Sequence, residues 1–306
     1  LSFELKILGA NAASFAHNRH QSSQVLMVEN QYFLIDCGEG TQIQLMLNKI
    51  KLSKIEYIFI SHMHGDHYFG LMGLISTMHL RGRENDLHIF GPAALAENIT
   101  MNLKHSGTGL QYRIHFHRVD PHSSQQILET DKLSVTSIPL DHGIDCTGYL
   151  IKEKPKPHRI NKNKLPENIL LQHIVLLQKG EDVFDENGNL LYKNEDYTLP
   201  PKRSRSYAYC SDTKYNERII PLIESVDLLY HEATFLDEKL ERAEITHHST
   251  AKQAATIASK ANAKMLVIGH YSLRYKDPIP LLEEARLIFP ECQLAIEGES
   301  YEVSDL

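Results

Sequence analysis

The 306-residue chain has no apolar run long enough to cross a bilayer, which excludes a membrane-spanning helix. It has only four cysteines, Cys37, Cys146, Cys210 and Cys292, and no CxxC pair among them. Thiols so spaced suit reduced side chains better than a disulfide scaffold or a zinc knuckle. The opening stretch, Leu1 to Gly9, alternates like a strand and lacks the basic start and cleavage site of a secretory signal. These absences predict a cytoplasmic protein with no membrane partner. Positive charge is also short, with a formal net charge of −7. That balance argues mildly against nucleic acid, although phosphate binding depends on local patches rather than totals. No internal repeat stands out. The apolar fraction of 42% and charged fraction of 23% are ordinary, and the length allows a large core.

Histidine is in excess, with 18 residues. Three of them fall in one run, Ser61-His62-Met63-His64-Gly65-Asp66-His67, directly after the apolar stretch Ile55 to Ile60. Imidazole and carboxylate together suit zinc or a similar divalent ion. On extended backbone His62 and His64 point to one side. Gly65 permits a turn that aims Asp66 and His67 at a second position. One run can therefore serve two neighbouring ions, an arrangement that activates water and stabilises a phosphoryl transition state. Taken singly, each histidine would be an ordinary loop residue.

The rest of the chain alternates strands and helices. Strands are predicted over 3–8, 25–28, 32–35, 55–60, 87–90, 114–118, 133–139 and 148–152. Further strands are predicted over 206–210, 227–230, 264–268 and 293–295. Helices are predicted over 42–48, 70–80, 93–104, 251–260 and 281–289, with Ser249 or Thr250 as a cap for the fourth. Reactive residues recur where strands end: His142, Asp212 and His270 each follow one. The pattern is α/β with a site built from loops. A carboxylate such as Asp212 can bridge two ions, one on each oxygen. Asp36 precedes a Gly-rich turn and reads as a supporting residue rather than a ligand. Composition changes at Lys152. Lys152, Lys154, Lys156, Arg159, Lys162 and Lys164 stand against one acid, Glu153, and an acidic stretch follows to Asp196. Residues 152 to about 200 read as an insertion in an otherwise single domain, and a solvated loop is the plain reading of such a charge run.

An HxHxDH run after a strand, followed by a distal His, Asp and His, resembles the metallo-β-lactamase superfamily. The finer resemblance is to the ribonuclease Z family of tRNA 3′-processing endonucleases. It is carried by Phe33 to Thr41, Ser61 to His67, Ser211-Asp212-Thr213, His231-Glu232-Ala233-Thr234, His248-Ser249-Thr250 and Gly269 to Tyr275. The resemblance implies an αββα four-layer sandwich, a homodimer, and a projecting arm that grips precursor tRNA. It implies one zinc ion on His62, His64 and His142, a second on Asp66, His67 and His270, and Asp212 between them. It lifts the basic run and Arg19 to candidate tRNA contacts. Two departures from the family pattern stand out. The PxKxRN-type loop here reads Phe15-Ala16-His17-Asn18-Arg19-His20, keeping the arginine, and the arm has Leu165-Pro166-Glu167-Asn168 in place of a Gly-Pro signature.

On this reading Asp66 takes or orients the proton of the attacking water. The leaving ribose 3′-oxygen needs an acid, for which His248 is the candidate, with Glu232 as its orienting partner. Rival readings are a small-molecule phosphodiesterase or arylsulfatase on the same fold, a di-iron oxidoreductase, and a non-catalytic RNA-binding protein. The arm speaks against the first. The second would need a carboxylate near His64, and the third has no reason to keep seven ligand candidates.

Overall fold

The structure is a computed structural model that describes residues 2–304; Leu1, at the head of the alternating N-terminal stretch, lies outside the described residues. The first half of the chain runs β1 (Phe3–Gly9), β2 (Ser23–Val28), β3 (Gln31–Cys37), α1 (Thr41–Leu47), β4 (Ile55–Phe59), α2 (Gly65–Tyr68), α3 (Gly70–Leu80), β5 (Leu87–Gly91), α4 (Ala94–His105) and β6 (Ile114–Arg118). It continues through β7 (Gln126–Glu129), β8 (Leu133–Pro139) and β9 (Thr147–Glu153). The stretch between β9 and the next long strand carries β10 (Arg159–Ile160), α5 (Leu171–Gln178), β11 (Val183–Phe184), β12 (Leu190–Tyr192), α6 (Asn194–Tyr197) and β13 (Thr198–Leu199). The last part holds β14 (Ser206–Cys210), β15 (Leu228–Glu232), α7 (Leu240–Ile245), α8 (Ala251–Lys260), β16 (Met265–Gly269), α9 (Ile279–Arg286), β17 (Cys292–Leu294) and β18 (Ser300–Glu302).

Two seven-stranded sheets form, in the orders β18-β1-β2-β3-β4-β5-β6 and β17-β16-β15-β14-β9-β8-β7. In the first, β3 to β6 run parallel, and in the second β14 to β17 do. The sequence dictates this split. β14 and β15 are buried at every position, as parallel strands covered on both faces must be. β1 alternates buried and half-buried residues over its first four positions. Phe33, Phe59 and Phe90 from the first sheet pack with Tyr149, Tyr207 and Val267 from the second in one apolar core. A separate core joins Leu34, Ile58 and Ile89 to Leu45, Leu74 and Ile99 of the helices outside the first sheet. On the far side, α8 presents Ala254, Ala255 and Ala258 to the main core. Its start is fixed by a capping box between Thr250 and Gln253. The result is the expected helix–sheet–sheet–helix sandwich. β7, β18, α7 and the elements within the insertion carry no pattern that predicts them from sequence. Each has six residues or fewer except α5, whose Leu170, Leu171 and Val175 stay exposed and leave no one-sided pattern.

The stretch between β9 and β14 is tied at both of its ends by one buried ion pair. Glu153 closes β9 and Arg205 precedes β14. Arg205 Nε lies 2.9 Å from Glu153 Oε2 and Nη2 lies 2.7 Å from Oε1, while the Arg205 backbone N–H also reaches Oε2 at 2.8 Å. Among the described residues no helix is long and apolar enough to cross a membrane.

Candidate metal centre

The strands deliver the site from their C-terminal ends. β4 leads into Ser61 to His67, β8 into His142, β14 into Asp212, β15 ends in Glu232, and β16 leads into His270. The turn expected at Gly65 is the start of the short helix α2, which carries Asp66 and His67. Close approach at this corner requires small residues: a Cβ on Gly70 would sit 2.0 Å from the Gly38 carbonyl oxygen. Two non-glycine residues, Asp36 (φ 54°) and His270 (φ 61°), adopt left-handed backbone at the site, where such strain is held by surrounding contacts.

All seven expected residues converge: His62, His64, His142 and Asp212 form one group and Asp66, His67 and His270 another, while His248 lies close enough to Asp212 and His270 to form a third. Asp212 faces the first two groups. Its Oδ2 lies 3.6 Å from His62 Nε2 and 3.8 Å from His142 Nε2, while Oδ1 lies 3.4 Å from His67 Nε2 and 3.3 Å from His270 Nε2. Asp66 Oδ2 is 3.6 Å from His67 Nε2 and 3.5 Å from His270 Nε2. His64 Nδ1 is 3.0 Å from His62 Nε2 and 3.2 Å from His142 Nε2.

The outer nitrogens explain why the inner ones face the centre. His67 Nδ1 donates to Asp36 Oδ2 at 2.7 Å. His62 Nδ1 meets Ser61 Oγ at 2.9 Å, and that hydroxyl donates to the same carboxylate at 2.8 Å. Tyr209 completes the set by donating its hydroxyl to Asp36 Oδ2 at 2.6 Å. His142 Nδ1 donates to the His247 carbonyl at 2.9 Å, and His270 Nδ1 to Thr234 Oγ1 at 3.0 Å. Each of these four rings therefore turns Nε2 inward in the tautomer a metal ligand needs. His67 Nε2 and His270 Nε2 are buried with no hydrogen-bond partner. Buried polar atoms are rarely left so, and the donor set fits a pair of divalent ions. Asp36 supports the site without joining it, as expected. Ser61, Tyr209 and Thr234 as supports were not legible beforehand, and only their places beside the ligands could have suggested them.

Electrostatics follow from this crowding. Burial works to raise the Asp212 carboxyl, but His270, His67 and His62 around it hold it well below the usual carboxylate range. Burial works to lower His67, yet Asp212, Asp36 and Asp66 carry it well above the usual imidazole value. Beyond the cluster, Glu232 is fully buried. It accepts from Thr213 N–H at 2.8 Å, from the Thr234 hydroxyl at 2.6 Å and from His248 Nδ1 at 2.8 Å. Burial opposes protonation of His248, but Glu232 outweighs it and pushes the imidazole up to about 9. The His248 ring lies 5.3 Å from that of His270 and 5.2 Å from that of His142, at the edge of the cluster.

The basic candidates divide into two sets. Lys154 pairs with Glu129 at 2.7 Å, Lys156 with Glu153 at 2.8 Å, and Arg159 donates to the Pro200 carbonyl at 2.9 Å. Lys152, Lys162 and Lys164 are exposed and have no ion pair among the described residues. Arg19 donates to Asn11 Oδ1 at 3.1 Å and to the Lys276 carbonyl at 3.0 Å, so it ties the N-terminal loop to the segment after His270. That loop also touches the centre directly, because Ala13 N–H donates to Asp66 Oδ2 at 2.7 Å.

A two-layered β-sandwich between helices, with this ligand set at one end of its strands, defines a metal-dependent hydrolase of the metallo-β-lactamase fold. The metallo-β-lactamase fold protein YhfI of Bacillus subtilis superposes with a TM-score of 0.69 at 18% identity over 99% of this chain and all of that one. Human tRNase Z, short form, superposes with a TM-score of 0.71 at 26% identity, over 98% of this chain and 99% of that one. A family model described as anti-Pycsar protein Apyc1 matches residues 3–155, the half that carries Ser61 to His67 and His142 but not Asp212, His248 or His270. Ribonuclease Z of Cytophaga hutchinsonii is 52% identical over 305 residues, covering 100% of this chain and 97% of that protein. Ribonuclease Z of Parabacteroides distasonis is 44% identical over 297 residues, covering 97% of each. The chain belongs to the ribonuclease Z family.

Proposed function

We infer that this chain is an endoribonuclease that removes the 3′ trailer from precursor tRNA. The carrying observation is the division of the Asp212 carboxylate between two groups of ligands, with the Glu232–His248 pair at their edge. We assign His62, His64 and His142 to one zinc ion, Asp66, His67 and His270 to the other, and Asp212 to both. Bound there, two such ions would polarise a water molecule and offset the negative charge that develops on the phosphoryl oxygens.

The chain's own residues do the rest. Asp66, held by Ala13 N–H, orients the attacking water and takes its proton. As the new P–O bond forms, the bond from phosphorus to the ribose 3′-oxygen breaks. His248 Nε2 gives its proton to that oxygen, while Glu232 holds the opposite nitrogen and stabilises the imidazolium. The products are a 3′-hydroxyl on the tRNA and a 5′-phosphate on the trailer. Lys152, Lys162 and Lys164 supply backbone contacts to the tRNA from the arm. Lys154, Lys156 and Arg159 set the arm's geometry through the partners described above. Arg19 shapes the loop beside the cut.

Two further parts belong to the same reading. A homodimer is supported by exposed apolar side chains on neighbouring surfaces, Leu47 of α1, and Phe69 and Leu80 at the two ends of α3. A cytoplasmic location is supported by four buried free thiols. The test is incubation with a 3′-extended precursor tRNA, with and without chelator, mapping the cut. Chelator-sensitive cleavage at a single position at the end of the acceptor stem is expected. Cleavage of a small phosphodiester in preference to the precursor would favour the small-molecule phosphodiesterase instead.

A further inference from the structure

A cavity of about 510 Å³ lies against His248, and none of the seven ligand residues is in its lining. Ala12, Phe235 and Leu273 give it an apolar wall. Two arginines complete it, Arg242 on α7 and Arg274 in the segment after His270. Both are exposed, and neither has an ion pair among the described residues. Two cations without a carboxylate, at one cavity of a chain whose net charge is −7, mark a place for an anion. Their position is fixed relative to the acid. The Arg274 guanidinium stands 5.8 Å from the centre of the Phe235 ring, and that ring meets the His248 ring edge-on at 6.2 Å. One aromatic ring therefore links Arg274 to the proton donor.

We propose that this cavity is the subsite for the last nucleotide of the tRNA, with the phosphate on that nucleotide's 5′ side bound by Arg242 and Arg274. The assignment rests on the tRNA-processing reading above. The bond that breaks joins phosphorus to a ribose 3′-oxygen. The trailer keeps the phosphorus and stays with the metal ligands, whereas the tRNA end leaves with the oxygen that His248 protonates. The ribose bearing that oxygen must therefore lie against His248, which is a wall of the cavity. The next phosphate along the tRNA is one nucleotide further on, where the arginines stand. A planar guanidinium fork matches phosphate oxygens in pairs. The volume falls within the range of cavities that enclose a small ligand, roughly 300–1,000 Å³. Two hydroxyls in the lining are already engaged, Thr234 donating to Glu232 and Thr246 to the Arg242 carbonyl. What is left for the base is the apolar wall, which accepts any of the four.

The test is cleavage of two precursors by the zinc-loaded full chain. One precursor is unmodified, and the other carries a single neutral methylphosphonate in place of the phosphate on the 5′ side of the last tRNA nucleotide. For wild type the neutral group should lower kcat/KM about 10–100-fold, the loss expected for hydrogen bonds to a charged group. Arg242→Ala/Arg274→Ala should lose a similar factor on the unmodified precursor and show no further loss on the neutral one. Should the double variant fail to fold, Arg274→Ala alone decides the matter, because its sensitivity to the neutral group should be smaller than that of wild type. A methylphosphonate that costs wild type and variant the same factor would overturn the subsite alone. A wild-type chain that leaves the unmodified precursor whole would overturn the tRNA reading, and the subsite with it.

Discussion

His248 and the buried Glu232 form a hydrogen-bonded pair, with Nδ1 of the histidine 2.8 Å from Oε1 of the glutamate. The pair decides the pH range in which His248 can act as an acid. With its imidazole at about 9, His248 holds its proton at neutral pH and loses it as pH rises through that value. Cleavage should therefore fall on the alkaline side. Glu232→Gln removes the main interaction that raises His248 and leaves burial, which lowers it. The alkaline limb of the kcat/KM profile should move to lower pH in this variant. An unchanged limb would show that another group donates the proton. His248→Ala should lose about 10²–10⁴-fold in turnover while binding metal as wild type does.

Asp212 and Asp36 make separable predictions. Asp212→Ala removes the carboxylate that faces four imidazole nitrogens, so both bound metal and cleavage should be lost together. Asp36→Asn keeps every ligand but weakens the grip on His67 Nδ1 and on Ser61. Metal affinity should drop about 10–100-fold, with activity recovered at raised zinc. Metal analysis after dialysis, alongside cleavage at several zinc concentrations, distinguishes the two. Recovery of Asp212→Ala by added zinc would contradict the proposal that it lies between two ions.

Much of this centre was legible because its chemistry is concentrated. His62, His64, Asp66 and His67 share one short run, and His142, Asp212 and His270 each follow an apolar strand whose end is easy to see. The supports were not legible, because a serine, a tyrosine and a threonine give no signal until folding sets Ser61, Tyr209 and Thr234 against particular ring nitrogens. The same limit applied to the insertion. Its charges marked it as distinct, but whether a lysine faces solvent or a carboxylate depends on contacts across the sheet, such as Lys154 with Glu129 of β7. The short strands β7 and β18 exist because long neighbours offer them an edge, and so their own residues carry little pattern.

The Glu153–Arg205 pair predicts how the root of the arm responds to acid. Both side chains are buried, and Glu153→Ala takes from Arg205 the carboxylate that accepts three of its hydrogen bonds. Glu153→Ala should cost about 3–5 kcal/mol of stability, measured by urea unfolding at neutral pH. Burial works to raise the Glu153 carboxyl, but Arg205 and Lys156 hold it below its ordinary value. A depressed carboxylate contributes stability that is present above its unfolded pKa, near 4.5, and is lost as pH falls through the folded one. Wild type should therefore lose this contribution in acid, and the gap between wild type and Glu153→Ala should narrow there. A gap that stayed constant down to strongly acidic pH would mean that the pair is not what holds the root.

The arm's free cations and its paired ones should behave differently toward substrate. Lys152, Lys162 and Lys164 are exposed and face no carboxylate within ion-pair distance among the described residues, so their charge is available to phosphates. Replacing all three with glutamate should weaken binding of precursor tRNA and flatten its salt dependence. For each phosphate left without its lysine, the slope of log K against log salt should fall by about 0.7–0.9. Hydrolysis of a small phosphodiester should be unchanged, because the centre is untouched. Lys154→Ala differs, since its ammonium is already committed to Glu129. It should leave the salt slope near that of wild type and act, if at all, through the arm's stability. The two sets are separated by measuring binding at several salt concentrations for each variant, with small-substrate turnover as the control. An equal loss on tRNA and on the small ester in the triple variant would mean that these lysines support the fold rather than the substrate.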